Sequence, residues 1–258
     1  MPPHSLITRL LAGLALVLVL PCALAAPAVL GLEDGTEIPL RIYPAHGDTM
    51  VLWLACDEGH GTREARASAV LAENGLEAWL PDYLGGHFLP VAPSSMGQIS
   101  GEEVAALIEL AQASAAKRIV MVSAGRGALP TLLGVRAWQD KHPGQPAPLG
   151  IILFYPELYA ATPDAGAEAQ YHEVVGKVAV PVFVYQGERS PGRWWLGHLR
   201  DALSGGGSRV QTELLPKVRG YFYVRQDPTP EEEELARRLP ELIRKAISRF
   251  EPHPGEQK

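Results

Sequence analysis

Strand patterns and helix patterns alternate along most of this chain, and this alternation restricts the fold more than any other feature. Two opening strands, 28–32 and 37–43, flank the turn residues Asp34 and Gly35 and predict a hairpin. Repeated strand–helix units after a hairpin predict an α/β domain: a three-layer sandwich whose mostly parallel sheet is covered on both faces. The further predicted strands are 50–55, 77–80, 118–122, 149–154, 180–185 and 210–215, and the helices are 63–73, 102–115, 128–138, 196–203 and 231–250.

The first 25 residues are predicted to be a secretory signal peptide. Arg9 precedes an apolar run over 10–20, and Ala23-Leu24-Ala25 follows as a small-residue cleavage site. The alternatives are a lipid anchor on Cys22 and a retained N-terminal helix. We therefore expect a periplasmic or secreted protein without stable membrane insertion, with one domain over 26–252 and a disordered tail over 253–258.

Charge and cysteine content restrict the partners and the chemistry. The net charge is −6, and it becomes −7 when residues 1–25 with their one charged side chain are removed. An acidic exported protein is a poor ligand for nucleic acid. Cys56 would be the one remaining cysteine, so an intramolecular disulfide is excluded and a buried thiol is expected, with a reactive thiol as the alternative. The acidic run 231–234 is expected to be a solvated helix start.

The segment 118–130 has the outline of a nucleophile elbow. An apolar β-branched strand enters a turn of small residues, Ser123-Ala124-Gly125-Arg126-Gly127, and a helical pattern follows. In the motif G-x-S-x-G the sharp turn presents a serine hydroxyl at its centre. Here that central position is Gly125, which has no side chain.

Four landmarks in this order resemble the α/β-hydrolase superfamily, in particular its dienelactone hydrolase-like and small-esterase branches, over residues 28–250. The elbow is the first. The segment 56–61 (CDEGHG) is similar to an oxyanion loop, 79–83 (WLPDY) to a strand end, and 180–191 (VPVFVYQGERSP) to the strand and loop that carry the catalytic acid.

The resemblance implies a triad in the order Ser, Asp or Glu, His, and each position differs here. Gly125 stands at the nucleophile, Ser190 at the acid within Gly187–Pro191, and Arg219 at the histidine of an H-G-aromatic motif. Arginine stays protonated and cannot act as a general base near neutral pH. The resemblance thus predicts a catalytically degenerate protein that acts as a binding or assembly partner for an unknown periplasmic protein or a small anionic ligand.

A divergent serine hydrolase for carboxylic esters is the alternative. Shifting the elbow by two residues makes Ser123 the nucleophile, and Glu188 could replace the acid. The base would be one of four histidines that do not follow the last strand: His60, His87, His172 and His198. Without catalysis, Ser123 would instead cap the following helix, and a structural domain of an envelope complex is a third possibility.

An anion site is the most specific binding hypothesis. Arg126 at the helix start, Arg219 and Arg189 would converge on the elbow, where helix N–H groups also favour an anion. The alternative is that Arg219 pairs with a carboxylate such as Glu188 or Asp57. No cofactor and no metal site are predicted, because the histidines lack paired ligand spacing.

Overall fold

The computed structural model describes residues 25–114, 117–145, 148–161 and 170–250, and it contains an eight-stranded sheet. The strand order is β1-β2-β4-β3-β5-β6-β7-β8, and among these pairs only β1–β2 and β2–β4 are antiparallel. The predicted hairpin is confirmed, with Gly35 at φ +86° in its turn. The strands are β1 Ala26–Gly31, β2 Glu37–Tyr43, β3 Thr49–Trp53, β4 Leu76–Pro81, β5 Arg118–Ala124, β6 Gly150–Phe154, β7 Val182–Gly187 and β8 Val210–Leu215.

Helices cover both faces of the sheet, which confirms the three-layer α/β architecture. Alternate residues of β5 face opposite ways: Met121 packs in the cluster with α4 and α5, and Val122 packs in the cluster with α1 and α8. The helices are α1 Thr62–Glu73, α2 Tyr83–Gly86, α3 Pro93–Met96, α4 Gly101–Ser114, α5 Ala128–Lys141, α6 Leu196–Ser204, α7 Pro230–Arg237 and α8 Leu239–Phe250.

The predicted single helix over 231–250 was wrong, because the structure divides it at Arg238 into α7 and α8. Pro240 explains the break: it has no N–H to donate to the carbonyl four residues earlier, and its ring crowds that carbonyl. The expectation of a solvated acidic run was also wrong at one position. The Glu232 side chain is fully buried, although its neighbours in the run are not.

The N-terminal predictions lie almost entirely outside the described residues, which begin at Ala25, and the predicted tail lies outside them as well. None of the described helices is long and apolar enough to cross a membrane. Cys56 is a free, buried thiol, as expected, and its burial raises its pKa to about 12. A thiol with that pKa is protonated at neutral pH and is a poor nucleophile.

Candidate functional site

The site lies at the carboxyl edge of the sheet, where β5 turns into α5. A single 3₁₀ turn, Gly125–Gly127, joins the two elements, and Gly125 has a left-handed φ of +50°. Most residues avoid this region of backbone conformation, whereas glycine adopts it freely. The predicted elbow is therefore present as a backbone shape, and its central residue carries no reactive group.

The space above Gly125 is filled by the side chain of Tyr221. A β-carbon built at position 125 would lie 2.5 Å from Tyr221 Oη and 2.7 Å from Tyr221 Cζ. Separations of that size are far below van der Waals contact, so Tyr221 and any larger residue at position 125 cannot both hold these positions. A phenol thus occupies the volume in which a nucleophile side chain would begin.

Tyr221 is fixed in place by two carboxylates. Its Oη lies 2.7 Å from Glu157 Oε1 and 3.1 Å from Asp57 Oδ1. Burial and the Glu157 carboxylate raise the pKa of Tyr221 far above its ordinary value, so the phenol stays neutral and donates its proton. Arg126 brings one positive charge to the same pair of acids, with Nη2 3.1 Å from Glu157 and Nε 3.7 Å from Asp57. The amide of Glu157 also donates to the Gly125 carbonyl at 2.9 Å.

Arg219, at the position of the family's histidine, is held by acids from the following loop and helix. Its Nε and Nη2 donate to the two oxygens of Glu232 at 2.8 and 2.6 Å, and its Nη1 donates to Asp227 at 3.2 Å. The Arg219 ion pair is the main reason that the pKa of Glu232 falls to about 2. Arg219 is therefore paired, as the alternative hypothesis expected, but with Glu232 and Asp227 rather than with Glu188 or Asp57.

Ser190, at the position of the catalytic acid, lies beside the residue that follows Arg219. A β-carbon at Gly220 would lie 3.5 Å from Ser190 Oγ. That oxygen accepts a hydrogen bond from the buried Gln186 side chain at 2.8 Å. Glu188 does not complete a triad with Ser123 here, because its carboxylate accepts from the Lys217 amide at 2.8 Å. Ser190 and Arg219 therefore line one space together with Tyr221, which covers Gly125, and none of the three implied triad positions carries the expected chemistry.

That space is an open cavity of about 730 Å³. Two parts of its lining differ in how far their polar groups are satisfied. We call Arg126, Glu157, Arg219 and Tyr221 the closed wall, because their polar groups bond to other protein groups. We call Tyr159, Arg189 and Ser190 the open wall. Among the described residues, the Arg189 guanidinium and the Tyr159 hydroxyl have no hydrogen-bond or ion-pair partner, and the Ser190 hydroxyl donates to none.

Ser123, the alternative nucleophile, lies inside the sheet and not at the cavity. It belongs to β5 and is paired in register with Leu153 of β6. Its side chain is fully buried, and its Oγ has no hydrogen-bond partner. Among the residues that the structure describes, no histidine and no carboxylate therefore lies within hydrogen-bond distance of the Ser123 hydroxyl. The expectation that it caps the next helix was wrong too, since the turn after β5 has no side-chain cap.

Solved structures of similar architecture include those of three bacterial proteins. One is a protein assigned as a dienelactone hydrolase from Klebsiella pneumoniae, with 14% identity and a TM-score of 0.64, covering 88% of this chain and 98% of that chain. Another is esterase 2 from Thermogutta terrifontis, phosphorylated by paraoxon, with 15% identity and a TM-score of 0.61 over 89% of this chain and 96% of that one. The third is an esterase/lipase from an uncultured bacterium, with 15% identity and a TM-score of 0.58, covering 87% of this chain and 85% of that chain.

The chain has the α/β-hydrolase fold. Identities this low establish the architecture and not the activity. No protein-family model matches the sequence, and no curated protein matches it either.

None of the four candidate histidines forms a triad with Ser123 among the described residues. His198 of α6 stacks on Tyr171 with ring centroids 5.1 Å apart. His87 pairs with Glu103 at 2.9 Å, and His172 accepts from the Val174 amide. Both ring nitrogens of His60 are buried and have no hydrogen-bond partner within the described part of the chain, and burial lowers the pKa of His60 to about 3. Within the described ranges no group of three or more His, Cys, Asp or Glu side chains could hold a metal ion.

Sequence reasoning missed most of the residues that shape this site. Tyr221 stands within the family's H-G-aromatic motif, yet its place over Gly125 depends on a left-handed backbone, φ +58°, that no pattern announces. Glu157 and Tyr159 follow β6, a strand for which the sequence predicts no site residue. Glu232 lies within the acidic run 231–234, for which the sequence predicts solvent exposure. Among these residues, only Tyr221 could have been identified from the sequence, because it directly follows Gly220 as the aromatic residue of that motif.

Proposed function

We propose that this protein is a non-catalytic member of the α/β-hydrolase fold, exported to the periplasm, that binds a ligand or partner at the cavity above Gly125. Its architecture is that of hydrolases. The groups of the closed wall pair with other protein groups instead of forming a nucleophile, base and acid.

The position of Tyr221 carries this proposal. Serine hydrolysis needs a hydroxyl at the tip of the elbow and a base within hydrogen-bond reach. Here the tip is Gly125, and the phenol above it donates to carboxylates instead of accepting a proton from a nucleophile. Because the pKa of Tyr221 is raised far above 10, the phenolate that could itself attack a carbonyl is not populated near neutral pH.

The divergent hydrolase that uses Ser123 has weaker support. Its favourable observation is that similar solved structures are described as hydrolases and esterases. Its difficulty is geometric, since Ser123 is fully buried within β5 and its hydroxyl has no base. A substrate carbonyl would have to enter the sheet to reach it.

Ester hydrolysis tests the proposal directly. We expect the purified chain lacking residues 1–25 to cleave p-nitrophenyl acetate at the rate of the Ser123→Ala variant, without saturation by substrate. The matched variant removes any contribution of Ser123 and keeps the surface nucleophiles that give background cleavage. Saturable turnover that is lost in Ser123→Ala would establish the divergent hydrolase instead.

Export and the partner are proposed on the sequence alone. The signal-like segment motivates export, and intact mass of protein recovered from the periplasm tests it. We expect the mature chain to begin at Ala26. A species that retains residues 1–25, or that carries lipid on Cys22, would contradict this part of the proposal.

A further inference from the structure

The open wall places three unsatisfied hydrogen-bond donors around one cavity. Arg189 follows β7, Ser190 is the next residue, and Tyr159 follows β6. All three line the 730 Å³ cavity, whose volume is in the range of small-molecule sites. Among the described residues, none of these side chains donates a hydrogen bond to protein.

Each of the three groups can donate at neutral pH. A guanidinium is always charged and presents its N–H groups as a fork that fits a carboxylate. Burial and the nearby Glu157 raise the pKa of Tyr159, so its phenol keeps its proton. Ser190 already accepts a hydrogen bond from Gln186, which leaves its own hydrogen free to point elsewhere.

The closed wall leaves little capacity for an anion. Arg126 is shared between Asp57 and Glu157, and Arg219 is engaged by Glu232 and Asp227. A ligand carboxylate would have to displace a protein carboxylate to reach either guanidinium. Arg225, a further arginine of the lining, is held by Asp227. Among the described residues Arg189 has no such competitor, so the charge available to a ligand lies with Arg189.

Three tyrosines also line the cavity: Tyr155, Tyr159 and Tyr221. Tyr155 and Tyr221 lie with ring centroids 4.8 Å apart, and Tyr159 stacks on Tyr171 with centroids 5.6 Å apart and an interplanar angle of 15°. Aromatic side chains in a cavity lining favour contact with planar, apolar ligand surfaces. An inorganic anion would use the donors and leave the rings without contact.

We infer that the cavity binds a small planar carboxylate, such as an aromatic acid, with its carboxylate on Arg189, Ser190 and Tyr159. This inference rests on the proposed binding role of the same cavity and adds the class of ligand. The ring of the ligand lies against the tyrosine faces, and Arg189 supplies the charge that selects an acid over its neutral amide.

The experiment compares benzoate, its neutral analogue benzamide and inorganic phosphate by isothermal titration against the purified chain. Arg189→Gln removes the charge. Arg200→Gln is the matched control, because Arg200 is an exposed arginine on α6 that pairs with Asp201 and does not line the cavity. We expect wild type and Arg200→Gln to bind benzoate equally, Arg189→Gln to bind it at least tenfold more weakly, and benzamide and phosphate to bind at least tenfold more weakly than benzoate.

Several results would overturn the inference. These are no binding of benzoate to wild type, equal binding by Arg189→Gln, benzamide binding as tightly as benzoate, or phosphate binding as tightly as benzoate. The outcome is separable from that of the ester assay. Loss of this inference leaves a non-catalytic protein with another ligand, whereas saturable ester cleavage refutes the proposed function whatever the titration shows.

Discussion

The closed wall and the open wall line the same cavity but have opposite relations to the rest of the protein. On the closed wall every charged group has a partner, and Tyr221 is wedged against Gly125. On the open wall the side chains of Tyr159, Arg189 and Ser190 line the cavity, and their hydrogen-bond donors have no acceptor among the described residues. Residues at two of the implied triad positions, Gly125 and Arg219, thus take part in holding the protein together. The capacity for a ligand lies next to the third, Ser190. Substitutions should therefore affect stability on one wall and binding on the other.

Gly125→Ala is expected to give the largest loss of stability. Its β-carbon would lie 2.5 Å from Tyr221 Oη, and alanine would have to adopt φ +50°. Overpacking costs about 1–3 kcal/mol and a left-handed backbone about 1–2 kcal/mol, so we expect a loss of about 3 kcal/mol in urea unfolding. Gly35→Ala is the control, since Gly35 has φ +86° with no atom near its would-be β-carbon. Equal losses in the two variants would show that Tyr221 does not fill the elbow.

Glu232→Gln tests the pairing that fixes Arg219. Removing the charge of the buried, paired Glu232 carboxylate should lower the free energy of unfolding by about 2–3 kcal/mol at pH 7. This loss is smaller than for a pair with both partners buried, because the Arg219 side chain is 31% exposed. The folded pKa of Glu232 is about 2, below its ordinary value of 4.5, so the ion pair stabilises the protein above pH 4.5. That stability is lost as the pH falls towards 2. The wild-type advantage over Glu232→Gln should therefore shrink between pH 5 and pH 3.

Urea unfolding at several pH values measures this advantage. Glu231→Gln is the matched control, because Glu231 is the preceding residue of the same helix and is exposed. It should change stability by less than about 0.5 kcal/mol at every pH. A constant difference between wild type and Glu232→Gln down to pH 3 would contradict the assigned pairing.

Tyr221→Phe should have a smaller effect than either of those changes. It removes one hydroxyl and leaves the buried Asp57 and the Glu157 carboxylate with one donor fewer, which costs about 1–2 kcal/mol. Tyr159→Phe removes an unbonded hydroxyl from the open wall and should cost less than about 0.5 kcal/mol. If the two phenylalanine variants unfold at the same urea concentration, the distinction between the walls is wrong.

Arg189→Gln should change stability least, by no more than about 0.5 kcal/mol, because the side chain is exposed and has no partner among the described residues. Thermal unfolding without ligand measures this. A loss above 1 kcal/mol would place Arg189 among the residues that hold the fold, and its effect on binding could then be indirect.

The sequence predicted the scaffold well and the site poorly, for physical reasons. The strands and the elbow have local causes: alternating apolar residues, the Asp34-Gly35 turn, and small residues at 123–127. These patterns act within a few residues, so they can be read from one chain. The break at Arg238 had a local cause in Pro240, which the predicted long helix ignored.

The contacts at the site join residues that are far apart in the chain. Tyr221 bonds to Asp57, 164 positions away, and Glu157, 64 positions away. The sequence predicted exposure for Glu232 because it stands in an acidic run. Its ion pair with Arg219 depends on the tertiary structure and produces no periodic pattern in the sequence. The expectation that Gly125, Ser190 and Arg219 would meet came from the family resemblance, and which acids would satisfy the arginine could not be read from spacing.

Reaction with a fluorophosphonate tests the central claim most directly, because one similar esterase was solved as its paraoxon-phosphorylated form and this chain has Gly125 at its elbow. The chain lacking residues 1–25 is incubated with excess fluorophosphonate and its intact mass is measured, with an active serine esterase as the positive control. We expect an unchanged mass for this protein and a complete adduct on the esterase. A stoichiometric adduct on this protein that disappears in Ser123→Ala would contradict it.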